Sequence, residues 1–316
     1  MAVCAALDAT PSALAARLVP LGVGFPYMSI VPAELYRGSV VDFVEITPEV
    51  LCRERRSGNE AQLDLVPVHL RHAQATCADL PIVVHGVELS IGSAHGWNEA
   101  YLDMLDRFQR IWPFRWHSEH LGFQTIFGED ESSLEIGVPL PLPVTSEAAN
   151  LVARRCSELR SRYNVPFLLE NPAHYLGDLL DDPEIGDQID LMNLVTKESR
   201  CGQLLDLHNL YCNAVNQRFD AMAAIDRIEL DGVIEIHVAG GSWRDGFWMD
   251  AHDGCVPPRV WELLEYVLPR APNVAGVVFE VLDQYVPQMG VDAIVQELGH
   301  ARAIWQRSRA RVLRAA

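Results

Sequence analysis

Paired cysteines are missing from this chain. Its seven cysteines are odd in number and no C-x-x-C occurs, which excludes a disulfide scaffold and a zinc knuckle and fits a reducing cytoplasm. Basic side chains are scarce, 25 Lys and Arg against 43 Asp and Glu, for a net charge of −18. Such a surface repels phosphate backbones, so no nucleic-acid partner is expected; a small molecule, a peptide or a protein remains compatible. No uninterrupted apolar run is long enough to span a bilayer, so no membrane partner is expected. The opening residues MAVCAALDATPSALAARLVP lack a basic n-region and include Asp8, unlike a signal peptide, and a cytoplasmic location is expected. There is no tandem repeat, no low-complexity segment and no Gly/Pro/Ser-rich linker, so residues 1–316 are read as a single domain. The first predicted strand-to-helix turn carries no G-x-G-x-x-G, which disfavours a dinucleotide-binding fold.

What the chain does have is alternation. Short apolar, β-branched runs appear at Gly22–Tyr27, Val41–Thr47, Pro81–Ser90, Arg115–Phe123, Pro166–Pro172, Gly202–Asn209, Gly232–Gly240 and Val274–Leu282. Stretches of helical period lie between them, such as NEAQLDLVPVHLRHAQATC, NEAYLDMLDRFQRIW and TSEAANLVARRCSELRSRY, the last opening on a capping Thr145. Eight strands, each followed by a helical segment, predict an α/β fold, a closed (β/α)8 TIM-type barrel. The long, Pro-rich stretch Phe127–Val144 is expected as a loop that covers one end.

Function in such a barrel gathers at the C-terminal ends of the strands, where this sequence places its unusual polar residues. In strand order these are His85 and Glu88; Glu119 and His120; Glu170 and Asn171; Asp206, His208 and Asn209; Glu235 and His237; Asp250 and His252 in the loop MDAHDG; and Glu280. A lone histidine or glutamate in a strand is more often a hydrogen-bonded core residue or an edge charge than a ligand. The set is different. So many carboxylates in one cavity need positive charge, and Arg and Lys are nearly absent from these strand ends. Metal cations supply it. Imidazole and carboxylate donors without clustered thiolates suit Fe, Mn or Zn, and so many donors imply two or three ions bridged by carboxylates, with Glu170 and Glu280 as candidate bridges.

Strand alternation refines the roles. Asp206 and His208 share a face only if their strand stays regular; if it ends at Leu207, His208 swings out and Asn209 turns in. Of the adjacent Glu119 and His120, His120 is expected inward. Glu235, deeper than His237, is expected to orient that imidazole. Trp243 and Trp248 flank a Gly-rich segment, AGGSWRDGFW, that could close over substrate.

The ordered motifs HGVELSIGS, SEHLGF, PLPLPVTSEAA, LLENPAHYL, LLDLHNLYCNAVN, EIHVAGG, DAHDGCV and FEVLD together resemble the multinuclear non-heme iron-dependent oxidases. The resemblance implies a xylose-isomerase-like TIM barrel, two or three iron ions cycling between Fe(II) and Fe(III), and O2 as co-substrate. It also implies modification of a ribosomally made precursor peptide, with hydrogen abstraction at the β-carbon of a cysteine. A small separate partner protein would bind the peptide's leader. By motif, the iron ligands would be His85, His120, Glu170, Asp206, His237, Asp250, His252 and Glu280, with Asp206, His208 and Glu280 closest to catalysis. Glu88, Glu119, Asn171, Asn209, Glu235 and Trp243 would support ligands or substrate. Many relatives carry DVNN where this chain has DLHN, so His208 is a variant position. The alternative is a Mn-, Zn- or Mg-dependent isomerase or hydrolase on the same barrel.

Overall fold

The computed structural model describes residues 18–57, 60–77, 79–127, 133–175 and 182–315. The chain begins with β1 (Gly22–Pro26), α1 (Ala33–Arg37), β2 (Phe43–Ile46), the hairpin β3 (Cys52–Ser57) and β4 (Glu60–Leu65), α2 (Pro67–Cys77) and β5 (Ile82–Gly86). Next come α3 (Glu99–Ile111), β6 (His117–His120), the hairpin β7 (Gly122–Phe127) and β8 (Ser133–Pro141), α4 (Ser146–Arg162) and β9 (Phe167–Glu170). There follow α5 (Gln188–Ser199), β10 (Gly202–Asp206), α6 (Leu207–Gln217), α7 (Ala221–Ile225), β11 (Val233–Ala239) and the hairpin β12 (Ser242–Arg244) and β13 (Phe247–Met249). The chain closes with α8 (Pro258–Val267), β14 (Gly276–Glu280), α9 (Val286–Met289) and α10 (Val291–Ala315).

Strands β1, β2, β5, β6, β9, β10, β11 and β14 pair in parallel and close into a barrel, each beside its successor in the chain. This is the expected (β/α)8 topology. The predicted helix starts hold where side chains cap them. Asn98 accepts from Tyr101 N at the start of α3, and Thr145 accepts from Ala148 N at the start of α4.

Three expectations are corrected. The segment read as one helix after the second strand is split: Glu60–Leu65 pairs with Cys52–Ser57, and the helix starts only at Pro67. There Pro supplies a preset φ and needs no N–H. The stretch expected as a loop at Phe127–Val144 contains β8, paired antiparallel with β7. The strand expected over Gly202–Asn209 stops at Asp206, whose carboxylate accepts Asn209 N and caps α6. His208 therefore lies in the first turn of a helix, not on a strand.

The barrel interior is layered. Phe43, Val83, Trp116, Leu168, Leu204, Ile234 and Val278 form one buried apolar cluster. Two residues further along, the same inward faces carry Glu45, His85, Glu170, Asp206 and Glu280, as period-two alternation requires. The pairing of β10 with β11 shifts register between Gln203 and Leu204, and β11 adds Glu235 and His237 to the interior. The large rings fit because glycine faces them: a Cβ on Gly276 would lie 2.6 Å from Phe43 Cζ. Gly276→Ala is expected to overpack this layer and cost about 1–3 kcal/mol, read as a lowered thermal midpoint with an unchanged circular-dichroism spectrum.

Candidate metal centre

Above the apolar plug, imidazoles and carboxylates converge. Glu170 Oε2 lies 3.4 Å from His85 Nε2 and 3.1 Å from His120 Nε2. His237 Nδ1 lies 2.9 Å from Glu280 Oε2 and 3.9 Å from Glu170 Oε1. His252 Nε2 lies 2.9 Å from Asp250 Oδ1 and 4.0 Å from Glu280 Oε2. His208 Nδ1 is 2.8 Å from the same Asp250 oxygen.

Five overlapping groups could each hold an ion, their donor atoms within 4.8 Å of one another. They are His85–His120–Glu170, Glu170–Asp206–His237, Asp206–His252–Glu280, Glu45–His237–Glu280 and His208–Asp250–His252. Glu170, Asp206 and Glu280 each belong to two groups, as bridging carboxylates would. All eight residues singled out as ligands fall within these groups, with His208 and one addition, Glu45.

The donor set fits a cation. Glu170 Oε2 and Asp206 Oδ2 are buried and accept no hydrogen bond, and such atoms are costly unless a cation or proton meets them. Among the described residues, the ion pairs of Glu45, Glu170, Asp250 and Glu280 are all with imidazoles.

Neighbouring groups fix which imidazole nitrogen is free. Ser118 Oγ donates to Val84 O at 3.2 Å, so at His85 Nδ1, 3.0 Å away, it accepts, leaving His85 Nε2 unprotonated toward Glu170. Glu45 Oε2 takes His237 Nε2 at 3.0 Å and leaves Nδ1 facing Glu280. Glu235, expected to orient His237, lies farther away at 3.9 Å and accepts Trp116 Nε1–H at 2.7 Å. The partner of His237 is instead Glu45, which sequence reasoning missed. Its signal was present: a charge between Val44 and Ile46, two residues beyond Phe43 on the same face.

Asn171 brackets the end of β10. Its amide donates to Asp206 O at 2.9 Å and accepts from Asp206 N at 2.8 Å. Asn209 turns toward Glu170, with Nδ2 3.5 Å from Oε1. Trp243 is 61% exposed and packs edge-on against Trp248. Glu88 and Glu119 are not among the converging donors. Glu119 faces the outer side of the barrel, where its Oε1 meets His117 Nε2 at 3.0 Å, and Tyr101 Oη is 3.2 Å from the same nitrogen. Glu49, beside them, accepts Val87 N and Glu88 N on Oε1, while its buried Oε2 has no hydrogen-bond partner.

Protonation follows from burial. Burial, with Asp250 and Glu280 adding repulsion, pushes Asp206 up to about 6. Burial holds Glu170 well above the carboxylate range and drives His120 down to about 4. For His252 burial acts downward, but Asp250 and Glu280 outweigh it and lift the imidazole to about 10. Without metal the centre thus carries protons at neutral pH that ligation must expel. Zn(II) or Fe(II) binding at pH 7 is expected to release protons, seen as a dependence of calorimetric heat on buffer ionisation enthalpy. Affinity should fall as pH drops from 8 to 6; a pH-independent affinity would contradict this centre.

Burial also raises Glu49 to about 8 from an ordinary 4.5, with Glu119 adding repulsion. A carboxyl raised on folding favours the fold fully below its unfolded pKa, and that contribution is lost as pH rises through the folded value. Glu49→Gln should therefore raise the melting temperature of metal-free protein relative to wild type at pH 8.5, and by much less at pH 5.

The closed barrel with its apolar plug is a TIM-type barrel, and solved structures share that fold. The fold is similar to the zinc-bound IOLI protein (TM-score 0.55, 10% identity, 91% of this chain and 99% of that one). It is also similar to a xylose isomerase-like TIM barrel protein from Mycobacterium smegmatis in complex with magnesium (TM-score 0.53, 12% identity, 93% and 98%). Residues 21–306 match the model of the RiPP precursor modification enzymes MbnB/TglH/ChrH, and the chain belongs to that family, which modifies ribosomally synthesised peptides. Two similar relatives are each named UPF0276 protein. One from Rhizorhabdus wittichii is 32% identical over 83% of this chain and 86% of its own length. Another from Caulobacter vibrioides is 33% identical over 72% and 78%. Among the described residues no helix is long and apolar enough to cross a membrane.

Proposed function

We propose that this chain is a multinuclear iron oxidase that uses O2 to modify a ribosomally made precursor peptide at the β-carbon of a cysteine. The observation that carries this reading is the sharing of Glu170, Asp206 and Glu280 between donor groups, which favours two or three adjacent ions over one. His85, His120 and Glu170 would hold one ion. Asp206, His237 and Glu280, with Glu170, would hold a second, and Asp250 and His252 would hold a third. Iron, when bound, supplies one-electron chemistry with O2 and a position for a thiolate.

The chain's own residues do the rest. Ser118 and Glu45 aim lone pairs of His85 and His237 inward. Asn171 holds the backbone of Asp206, so this carboxylate keeps its place at the strand end. The apolar layer of Phe43, Trp116 and Leu168 closes the barrel below and keeps water out from that side. Substrate would approach from the opposite face, past the hairpin that bears Trp243. A small separate protein that binds the peptide's leader would complete the system.

The test is anaerobic purification with iron, metal analysis and Mössbauer spectroscopy, followed by incubation with a cysteine-containing precursor peptide. Two or three coupled irons and a peptide mass change only with O2 are expected. His120→Ala and Asp206→Asn should lose iron and activity while keeping the fold. Full turnover without O2, or with Zn(II) or Mn(II) alone, would instead point to an isomerase or hydrolase on this barrel.

A further inference from the structure

His208 differs from the other imidazoles of the centre. His85 and His237 each give one nitrogen to the protein and turn the other toward the converging carboxylates. His208 has both nitrogens taken: Nδ1 lies 2.8 Å from Asp250 Oδ1, and Nε2 accepts the indole N–H of Trp248 at 3.1 Å.

That second bond decides the first. An indole nitrogen can only donate, so Nε2 must present its lone pair and the ring proton must sit on Nδ1. Nδ1–H then donates to Asp250 and has no lone pair left for an ion. A cation on Nδ1 would move the proton to Nε2 and set it against the Trp248 N–H. The two arrangements exclude each other.

The ring has little freedom to escape. His208 is fully buried, and Cys212, one helical turn on, places its Sγ 3.8 Å from both nitrogens. From the other side, a Cβ on Gly241 would come within 2.8 Å of His208 Nε2. Trp248 is itself bolted to α6. Asn216 donates to its carbonyl at 2.9 Å and accepts from its N–H at 2.8 Å, and Tyr211 packs edge-on against its ring. Asp250 is fixed from a third direction, its N–H donating to Tyr175 Oη at 2.9 Å.

We propose that His208 is a positioning residue and not an ion ligand: Trp248 pins its proton on Nδ1, and that N–H holds Asp250 in line with His252. The hairpin β12–β13 thereby sets the geometry of the outermost donor pair without touching an ion. This inference rests on the reading of Asp250 and His252 as ligands.

The experiment has two arms. In metal-free protein labelled with [15N]histidine, the His208 resonances, identified by their loss in His208→Leu, should show a protonated Nδ1 and an unprotonated Nε2. In Trp248→Phe the Nε2 signal should move with the loss of its indole donor, while Nδ1 stays protonated against Asp250. In Zn(II) titrations, His208→Leu should bind as many ions as wild type, with the weakest site loosened about 10- to 100-fold. His208→Asn, which can both donate and accept, should restore most of that affinity. Circular dichroism verifies folding of each variant. A protonated Nε2 in wild type, or loss of one whole ion in His208→Leu, would overturn the proposal. Asp250→Asn and His252→Ala test the reading beneath it: retention of every ion in both would refute that reading, while the tautomer still reports on Trp248.

Discussion

The period-two alternation of parallel barrel strands is the constraint on which the site depends. On five strands the inward residue of the apolar plug is followed, two positions later, by a donor: Phe43 then Glu45, Val83 then His85, Leu168 then Glu170, Leu204 then Asp206, Val278 then Glu280. A slip of one residue on any of them would send the donor outward and an apolar side chain inward. Closure removes the freedom to slip, because every strand is held on both sides. The metal centre is thus positioned by backbone pairing and not by long loops.

Charge is the second constraint. Glu45, Glu170, Asp206 and Glu280 are almost withdrawn from water, and the ion-pair partners of Glu45, Glu170 and Glu280 are histidines, of which His85 and His120 are held neutral by burial. Protons can balance such a cluster: burial holds Glu170 well above the carboxylate range, while Asp250 and Glu280 outweigh burial at His252 and lift its imidazole to about 10. Replacing protons by divalent ions keeps the balance and satisfies oxygens that otherwise accept nothing. The outer cluster of Glu49 and Glu119 makes the contrast. There the carboxylates meet backbone N–H groups, His117 and Tyr101, and among the described residues no group of three metal-type donors forms around them. Burial raises both clusters; only one converges.

Much of this was legible from the residues alone. Eight apolar runs separated by helical periods specify the barrel, strand-end chemistry marks a wider set of polar residues, and the family resemblance implies eight of them, from His85 to Glu280, as ligands. What was not legible was local competition. Glu60–Leu65 reads as the beginning of an amphipathic helix, yet it pairs with Cys52–Ser57, a strand that carries no strong β signal. Asp206 looks like a mid-strand residue, and only its capping bond to Asn209 N ends the strand there. Glu45 is hidden by its position, a charge inside an apolar run and not at its end.

The end of β10 shows how one backbone event distributes roles among neighbours. Because the strand stops at Asp206, that carboxylate stays in the strand face with the other donors while its Oδ1 caps the helix. Its Oδ2 is left buried and unpartnered, aimed at the centre. The helical turn then carries Asn209 back toward Glu170 and turns His208 toward Asp250, outside the strand-end ring. A regular strand would have put Asp206 and His208 on one face as equivalent donors. The cap separates them, giving the carboxylate to the shared interior and the imidazole to the aromatic hairpin that stands over it.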